Sequence, residues 1–224
     1  MVVVHRSDSD SRHPHRLLVL GKPGAGKSTL THKLSKTLGL RLIAIGNIAR
    51  IEAAEGTELG SRVSPYLLNM LLPAELVGEI LARELSDPDV REKGFLLDWT
   101  PRSLDDLETL CSIFSGYQLL PELTAIYVQV SDAVVKERIL QHRAVLEKRV
   151  SDTEEIVDER LQQFAETAPQ ITDRIRQKGI EYRVVNGEKD HDTVYQSFLD
   201  CLNPSVDSGG YRLQFGGDSS DLFV

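Results

Sequence analysis

Cysteine is scarce in this sequence. Only Cys111 and Cys201 occur among 224 residues, and they lie far apart, outside any spacing typical of a metal site or a redox pair. A framework of disulfide bonds is therefore excluded as the basis of the fold. We expect two ordinary thiols in a reducing compartment.

Long apolar runs are also missing. No stretch approaches the roughly 18 apolar residues that a membrane-spanning helix requires, and the apolar start, MVVV, is too short for a secretory signal. We therefore expect a cytoplasmic protein that does not bind a membrane. The polar residues 1–15 predict a disordered arm, and the Gly-, Ser- and Asp-rich residues 203–224 predict a flexible tail.

Basic residues are outnumbered. The 26 Lys and Arg residues face 34 Asp and Glu residues, which gives a net charge of -8. Broad nucleic-acid binding needs a basic face, so this charge balance argues against a nucleic-acid partner. A polyanionic ligand must instead meet locally concentrated Arg and Lys. The hydrophobic content of 41% suits one domain over residues 16–202, which we expect to be a monomer.

Between the two tails, short apolar runs alternate with longer helical patterns, which is typical of a parallel sheet flanked by helices. The runs are continuously apolar, as expected when helices cover both faces of the sheet. The sequence therefore predicts an α/β fold of three layers around a five-stranded parallel sheet. The predicted strands are residues 17–20, 42–45, 95–98, 125–130 and 182–185.

Residues 151–179 carry the clearest helical pattern. Ser151 or Asp152, each followed three residues later by Glu, forms a capping box ahead of apolar residues at helical spacing. Proline lacks the backbone N–H that a helix interior uses. We therefore expect a kink or a break at Pro169.

The strongest functional pattern is GKPGAGKST at residues 21–29, directly after the first predicted strand. Two glycines with four residues between them, followed by Lys and Ser, form a phosphate-binding loop whose amides and following helix surround a polyphosphate. Lys27 would reach the terminal phosphates of ATP, and the Ser28 hydroxyl would ligate Mg²⁺. The predicted ATP-binding residues of this loop are Gly21, Pro23, Gly24, Ala25, Gly26, Lys27, Ser28 and Thr29.

Five further segments resemble the adenylate kinase family of nucleoside monophosphate kinases, and the likeness extends from Leu17 to about Leu202. They are GFLLDWTPRS (94–103), GTELGSRV (56–63), LLPAELV (71–77), RVSDTEEIVDERL (149–161) and APQITDRIRQKG (168–179). The resemblance implies a P-loop kinase fold with a helical monophosphate-binding region at about 46–75. It also implies a short lid, without zinc, at about 139–150.

The implied activity is transfer of the terminal phosphoryl group of ATP to a nucleoside monophosphate, most simply ATP plus AMP to two ADP, with Mg²⁺ as cofactor. Such transfer needs positioning and charge neutralisation, which the planar, permanently charged guanidinium group supplies. By resemblance the catalytic residues are Lys27, Arg102, Arg149 and Arg160. Arg138 and Gly187 would contact the adenine of ATP, and Asp98 would orient Mg²⁺ through water.

The acceptor side departs from the family. By resemblance the acceptor-binding residues are Gly46, Asn47, Arg50, Leu72, Trp99, Arg102 and Asp106. Trp99 stands where the family has glycine, and it either packs away, stacks on a base or blocks the pocket. Asp106 stands where a glutamine commonly reads adenine, and Ile45 replaces a common threonine.

These departures leave the acceptor open. The second hypothesis is a kinase for another acceptor, such as a pyrimidine monophosphate or a small alcohol. The third is an ATP-binding regulatory protein whose acceptor site Trp99 blocks. Turnover with each acceptor in turn separates the three.

Overall fold

The computed structural model describes residues 14–67, 72–142 and 153–202. Within these ranges five strands form one parallel sheet in the order β2-β3-β1-β4-β5, which confirms the predicted α/β class. The strands are β1 (Arg16–Leu20), β2 (Arg41–Ile43), β3 (Phe95–Asp98), β4 (Leu123–Gln129) and β5 (Glu181–Asn186).

Helices connect the strands, as parallel pairing requires. In chain order they are α1 (Lys27–Leu38), α2 (Ile45–Glu55), α3 (Glu58–Val63), α4 (Ala74–Ser86), α5 (Pro88–Lys93), α6 (Leu104–Gly116), α7 (Asp132–Glu137), α8 (Glu154–Gln177) and α9 (His191–Leu202). A π-helical turn, Arg138–His142, extends α7. In the described ranges no helix is both long enough and apolar enough to cross a membrane.

The core lies on both faces of the sheet. Along β1, Leu18 and Leu20 join one buried cluster, while Leu17 and Val19 join the cluster on the opposite face. This alternation follows from the period of two in a strand, and it explains why the run is apolar at every position. The predicted three layers are thereby confirmed.

The predicted end of the second strand is wrong. Ile45 is the first residue of α2, and the amides of Asn47 and Ile48 donate to Ala44 O at 2.9 and 3.0 Å. Ile45 is apolar because its side chain is fully buried in the core, and a short apolar run does not distinguish a strand from a buried helix start.

The predicted capping box of the long helix is also wrong. Thr153 is the N-cap of α8, and its hydroxyl accepts a hydrogen bond from Ile156 N at 3.4 Å. Glu154 is therefore the first residue of the helix, too early to reach back as the third residue of a capping box does. The two predicted cap residues, 151 and 152, lie outside the described residues.

The helix α8 continues through Pro169, so the predicted break does not occur. The proline removes one backbone donor. However, Ala168, Ile171 and Ile175 bury their side chains on both sides of it. Tertiary packing of this apolar face outweighs the local preference of one residue.

The predicted arm, tail and lid fall largely outside the described residues. Of the arm, residues 14 and 15 are described, and Phe95 N donates to His15 O at 3.0 Å, so sheet-like pairing begins just before β1. Residues 139–142 of the predicted lid belong to the π-helical turn. The rest of the lid, including Arg149, and the tail from residue 203 onward are not described.

Candidate active site

The phosphate-binding loop connects β1, the central strand, to α1. Gly24 and Gly26 have φ of 82° and 87°, in the left-handed region that favours glycine. This geometry turns the chain into the start of α1, where the first amides of a helix have no partner within the helix. The helix α1 ends at Gly39, whose left-handed backbone with φ of 68° caps it. The loop thus presents N–H groups and a positive helix end, as the sequence predicts.

Lys27 folds back over this loop. Its Nζ donates to Gly21 O at 2.8 Å and to Lys22 O at 3.0 Å. The ammonium group is therefore held at the concave side of the loop, next to the loop amides. A polyphosphate bound there would meet this positive charge.

Thr100 ties the loop after β3 to the phosphate-binding loop. Its Oγ1 lies 3.3 Å from both Gly21 N and Gly21 O, and the same carbonyl accepts a hydrogen bond from Lys27. The sequence patterns do not single out this residue. The sequence feature that could have identified Thr100 is its position between Asp98 and Arg102, in the segment that follows β3, a strand adjacent to β1.

We expect Thr100→Val to lower kcat about tenfold, whereas Thr100→Ser keeps it near wild type. Valine preserves the shape but removes the hydrogen bonds that hold Gly21 and, through its carbonyl, Lys27. Steady-state kinetics on the three proteins measures the effect, and thermal unfolding controls for stability. Equal rates for the valine and serine variants would show that the hydroxyl does not position the loop.

The candidate magnesium residues lie at the start of α1 and the end of β3. Thr31 Oγ1 lies 3.4 Å from Asp98 Oδ2, and Ser28 is exposed in the first turn of α1. Among the described residues, no group of three or more His, Cys, Asp or Glu side chains could hold a metal ion. One hydroxyl and one carboxylate nevertheless fit Mg²⁺, which keeps several waters and takes its other ligands from phosphates. Thr31, which the sequence does not indicate, links the two.

An open pocket lies beside the loop and brings five predicted ATP-binding residues together. The pocket is open to solvent, and its empty space, with open solvent included, is about 500 Å³. Arg138 Nη2 donates to Gly187 O at 2.9 Å across it. The predicted residues in its lining are Ala25, Gly26, Thr29, Arg138 and Gly187.

The sequence does not predict the polar and aromatic groups that complete this lining. Lys33, Lys189, His191 and Tyr195 contribute them from α1, the loop after β5 and α9. The Lys33 ammonium lies 4.3 Å from the centre of the Tyr195 ring and 2.7 Å from Asp192 Oδ1. Their positions follow from how α9 packs on α1, which local sequence patterns do not encode.

Two predicted catalytic arginines come from different parts of the chain, and the charge of one acts on the other. Arg102 follows β3 and is exposed as a residue, while Arg160 lies half-buried on α8. Partial desolvation of the guanidinium group and then the nearby charge of Arg160 lower the pKa of Arg102, whereas Asp106 raises it. An arginine titrates so far above neutrality that Arg102 stays charged despite this lowering of its pKa. An anion placed near both guanidinium groups would be stabilised by their charge.

Asp106 has a structural role in addition to its predicted one. Its Oδ2 accepts a hydrogen bond from Arg102 N at 2.9 Å, and its own N–H donates to Ser103 Oγ at 3.0 Å. This reciprocal pair caps α6 and resembles a capping box shifted by one residue. The cap fixes the backbone of Arg102, so Asp106 stabilises the segment that carries a predicted catalytic group.

Trp99 is half-buried and packs against the core cluster that contains β3. Among the three alternatives drawn from the sequence, this contact favours packing over obstruction. Leu72 packs partly buried against the same cluster. Gly46, Asn47 and Arg50 lie in the first half of α2, and their roles toward an acceptor stay predictions.

Three features define an α/β phosphotransferase of the P-loop kinase fold: the parallel sheet, the phosphate-binding loop after its central strand, and the arginines after β3 and on α8. Comparison with known proteins narrows this class. The family model for adenylate kinase matches residues 19–180. The chain belongs to the adenylate kinase family and is an enzyme of the nucleoside monophosphate kinase class.

Several curated relatives carry the same family name. An adenylate kinase of Corynebacterium glutamicum is 37% identical over 158 residues, which cover 70% of this chain and 83% of the relative. An adenylate kinase of Archaeoglobus fulgidus is 32% identical over 208 residues, and the match covers 80% of this chain and 94% of the relative. An adenylate kinase of Mycobacterium tuberculosis is 34% identical over 156 residues, and the match covers 69% of this chain and 82% of the relative.

Proposed function

We propose that the enzyme transfers the terminal phosphoryl group of ATP to AMP and yields two ADP. The observation that carries this proposal is the phosphate-binding loop, in which Gly21 O and Lys22 O hold Lys27 Nζ at 2.8 and 3.0 Å where a polyphosphate would bind. Arg102 and Arg160 would supply further positive charge for a multiply charged phosphate, since the charge of Arg160 acts on Arg102. The relatives named above as adenylate kinases support AMP as the acceptor.

The donor half of the proposed mechanism uses the loop and Lys27. The loop amides would hold the phosphates of ATP, and Lys27 would exchange its contacts with Gly21 O and Lys22 O for phosphate oxygens. Arg138 and Gly187 would hold the adenine in the open pocket. The terminal phosphoryl group would then lie at the concave side of the loop, oriented for in-line attack.

The cation proposed for this site is Mg²⁺, held by the Ser28 hydroxyl and, through water, by Asp98. Bound there, Mg²⁺ would neutralise phosphate oxygens of the donor. Thr31 would keep the Asp98 carboxylate oriented, because its hydroxyl already lies within reach of Oδ2.

The acceptor half uses the arginines. Arg102 and Arg160 would bind oxygens of the migrating phosphoryl group and of AMP, and their bidentate geometry would align the two phosphates. Arg50 and Arg149 are proposed to complete this set. The predicted lid would exclude water during transfer.

The direct test supplies ATP and Mg²⁺ with AMP, CMP, UMP, GMP or a small alcohol, and resolves the products by chromatography. We expect the fastest turnover with AMP and two ADP for each AMP consumed. Turnover only with another acceptor would replace AMP in the proposal. Binding of ATP in calorimetry without turnover on any acceptor would favour the regulatory alternative.

We expect Trp99→Gly to leave kcat with AMP unchanged or reduced up to about tenfold, because Trp99 packs against the core. Thermal unfolding should report a destabilised protein. A clear rise in AMP turnover would instead show that the indole obstructs the acceptor site. Trp99→Phe serves as the control, since it keeps an aromatic ring of smaller volume at this position.

A monomeric state and a cytoplasmic location remain predictions. Light scattering during gel filtration tests the first, and fractionation of cells tests the second.

A further inference from the structure

The phosphate-binding loop lies lengthwise against α7 and the π-helical turn. A Cβ atom placed on Gly24 would lie 2.6 Å from Ile139 Cδ1 and 3.1 Å from Val135 Cγ1. A Cβ atom on Gly26 would lie 4.0 Å from Arg138 Nη1. The backbone of the loop thus approaches this helical segment so closely that a side chain at Gly24 would force Ile139 to move.

An ion pair forms where the start of the loop meets the start of α7. Lys22 Nζ lies 2.5 Å from Asp132 Oδ1, and the side chains are 5% and 53% exposed. A buried ammonium group requires a partner, because burial removes its water. Asp132 is the first residue of α7, so this pair fixes where α7 begins relative to the loop.

The contacts lie on one side of this helical segment. Lys22 pairs with residue 132, the backbone at Gly24 meets residues 135 and 139, and Gly26 comes nearest to residue 138. Positions three or four apart share one face of a helix, so this part of the loop faces one side of the segment. Arg138, on that side, donates to Gly187 O in the open pocket.

Lys22 acts on the catalytic lysine as well. Its carbonyl oxygen accepts hydrogen bonds from Lys27 Nζ at 3.0 Å and from Ala25 N at 3.2 Å. Its side chain holds Asp132, and its backbone holds Lys27. One residue therefore connects the Lys27 ammonium to the segment that carries Arg138.

We propose that the Lys22–Asp132 ion pair is a positioning contact that sets Lys27 and Arg138 at a fixed separation for the donor nucleotide. It rests on the donor half of the proposed function and not on the identity of the acceptor. Neither residue touches the reacting atoms in this proposal. Its signature is therefore a change in donor binding, with acceptor binding left intact.

The test measures ATP dissociation by calorimetry, together with KM for ATP and for AMP, on Lys22→Met and Asp132→Asn. We expect both variants to weaken ATP binding about five- to tenfold, with KM for AMP within about twofold of wild type. The double variant should bind ATP no more weakly than Lys22→Met does, because the two side chains act as one unit. Asp132→Glu, which keeps the carboxylate at an exposed position, should restore ATP binding.

A matched control is Lys93→Met, which removes an exposed lysine paired with Asp89 on α5. This variant should leave the dissociation constant of ATP and the KM values for ATP and AMP unchanged. A fall of melting temperature in Lys22→Met with unchanged ATP binding would overturn the proposal, and so would equal weakening of both substrates. Calorimetry with ATP alone separates failure of this proposal from failure of the proposed reaction, because it needs no turnover.

Should Lys22→Met not fold, Asp132→Asn and Asp132→Glu carry the test, since Asp132 is half exposed. Weaker ATP binding in the asparagine variant, restored in the glutamate variant, would support the proposal. Identical ATP binding in the two would overturn it.

Discussion

Replacing Lys27 with methionine is expected to lower kcat by about a hundred- to a thousandfold. The ammonium group lies at the concave side of the phosphate-binding loop, where Gly21 O and Lys22 O hold it in place. Negative charge shifts between phosphates during transfer, and a fixed positive charge stabilises the transition state more than the bound substrate. Methionine keeps the length and flexibility of the side chain but removes the charge. Initial rates at saturating ATP and AMP measure the loss.

The fold should tolerate this change. Lys27 is half-buried, and its loss removes two hydrogen bonds. Each acceptor keeps a second donor, because Thr100 Oγ1 also donates to Gly21 O and Ala25 N also donates to Lys22 O. The matched control is Lys36→Met, the same substitution at an exposed position of α1. It should retain both melting temperature and kcat. A Lys27→Met enzyme with a rate within threefold of wild type would remove Lys27 from the mechanism.

Lys27 can be found from sequence because its role depends on local order along the chain. The spacing of glycines, the preceding strand and the following helix lie within one short segment, and the structure places them as predicted. Arg138 and Gly187 are predicted separately, by resemblance, and the structure joins them in one hydrogen bond. Their contact depends on how β5 pairs with β4, which the strand pattern predicts only in outline.

Thr100 and Lys22 cannot be found in the same way. Thr100 matters because β3 pairs beside β1, so its hydroxyl reaches Gly21 from a segment 79 residues away. Lys22 is one of the four residues between the two glycines of the phosphate-binding pattern, which does not specify their identity. Its partner Asp132 is 110 residues away along the chain. Such contacts depend on tertiary packing, and without it an exposed surface charge is the default expectation for a lysine.

The wrong secondary-structure predictions have a related cause. The pattern places Ile45 in a strand because four apolar residues look the same whether a strand or the buried face of a helix start uses them. Pro169 predicts a kink or a break in α8, but the helix runs on without a break, and residues on both sides of the proline are buried. In both cases the core decides an outcome that propensity alone leaves open.

The second large effect is expected at Arg160. We expect Arg160→Met to lower kcat/KM by about a hundredfold or more, because one of two guanidinium groups that would neutralise the migrating phosphoryl is lost. Arg160→Lys should recover only part of the rate, since an ammonium group supplies charge without bidentate geometry. Steady-state kinetics with both substrates varied measures the two variants.

Stability should change much less than activity. In the enzyme without nucleotide, the charge of Arg160 lowers the pKa of Arg102. Methionine removes this unfavourable interaction together with the other interactions of Arg160, so the melting temperature of Arg160→Met without nucleotide should stay near that of wild type. A bound polyanion such as ADP should raise the melting temperature of wild type more than that of the variant.

A matched substitution on the same helix separates this effect from a general loss of charge. Arg174 on α8 pairs with Glu108 Oε1 at 2.6 Å, and its side chain is 43% exposed. Arg174→Met should therefore cost a little stability and leave kcat/KM unchanged. If Arg160→Met lost stability and activity together, as a merely structural residue would, the repulsion between Arg160 and Arg102 would not be a feature selected for binding phosphate. Activity lost while stability is kept would mean that the fold tolerates this unfavourable contact because the transferred anion turns it into a favourable one.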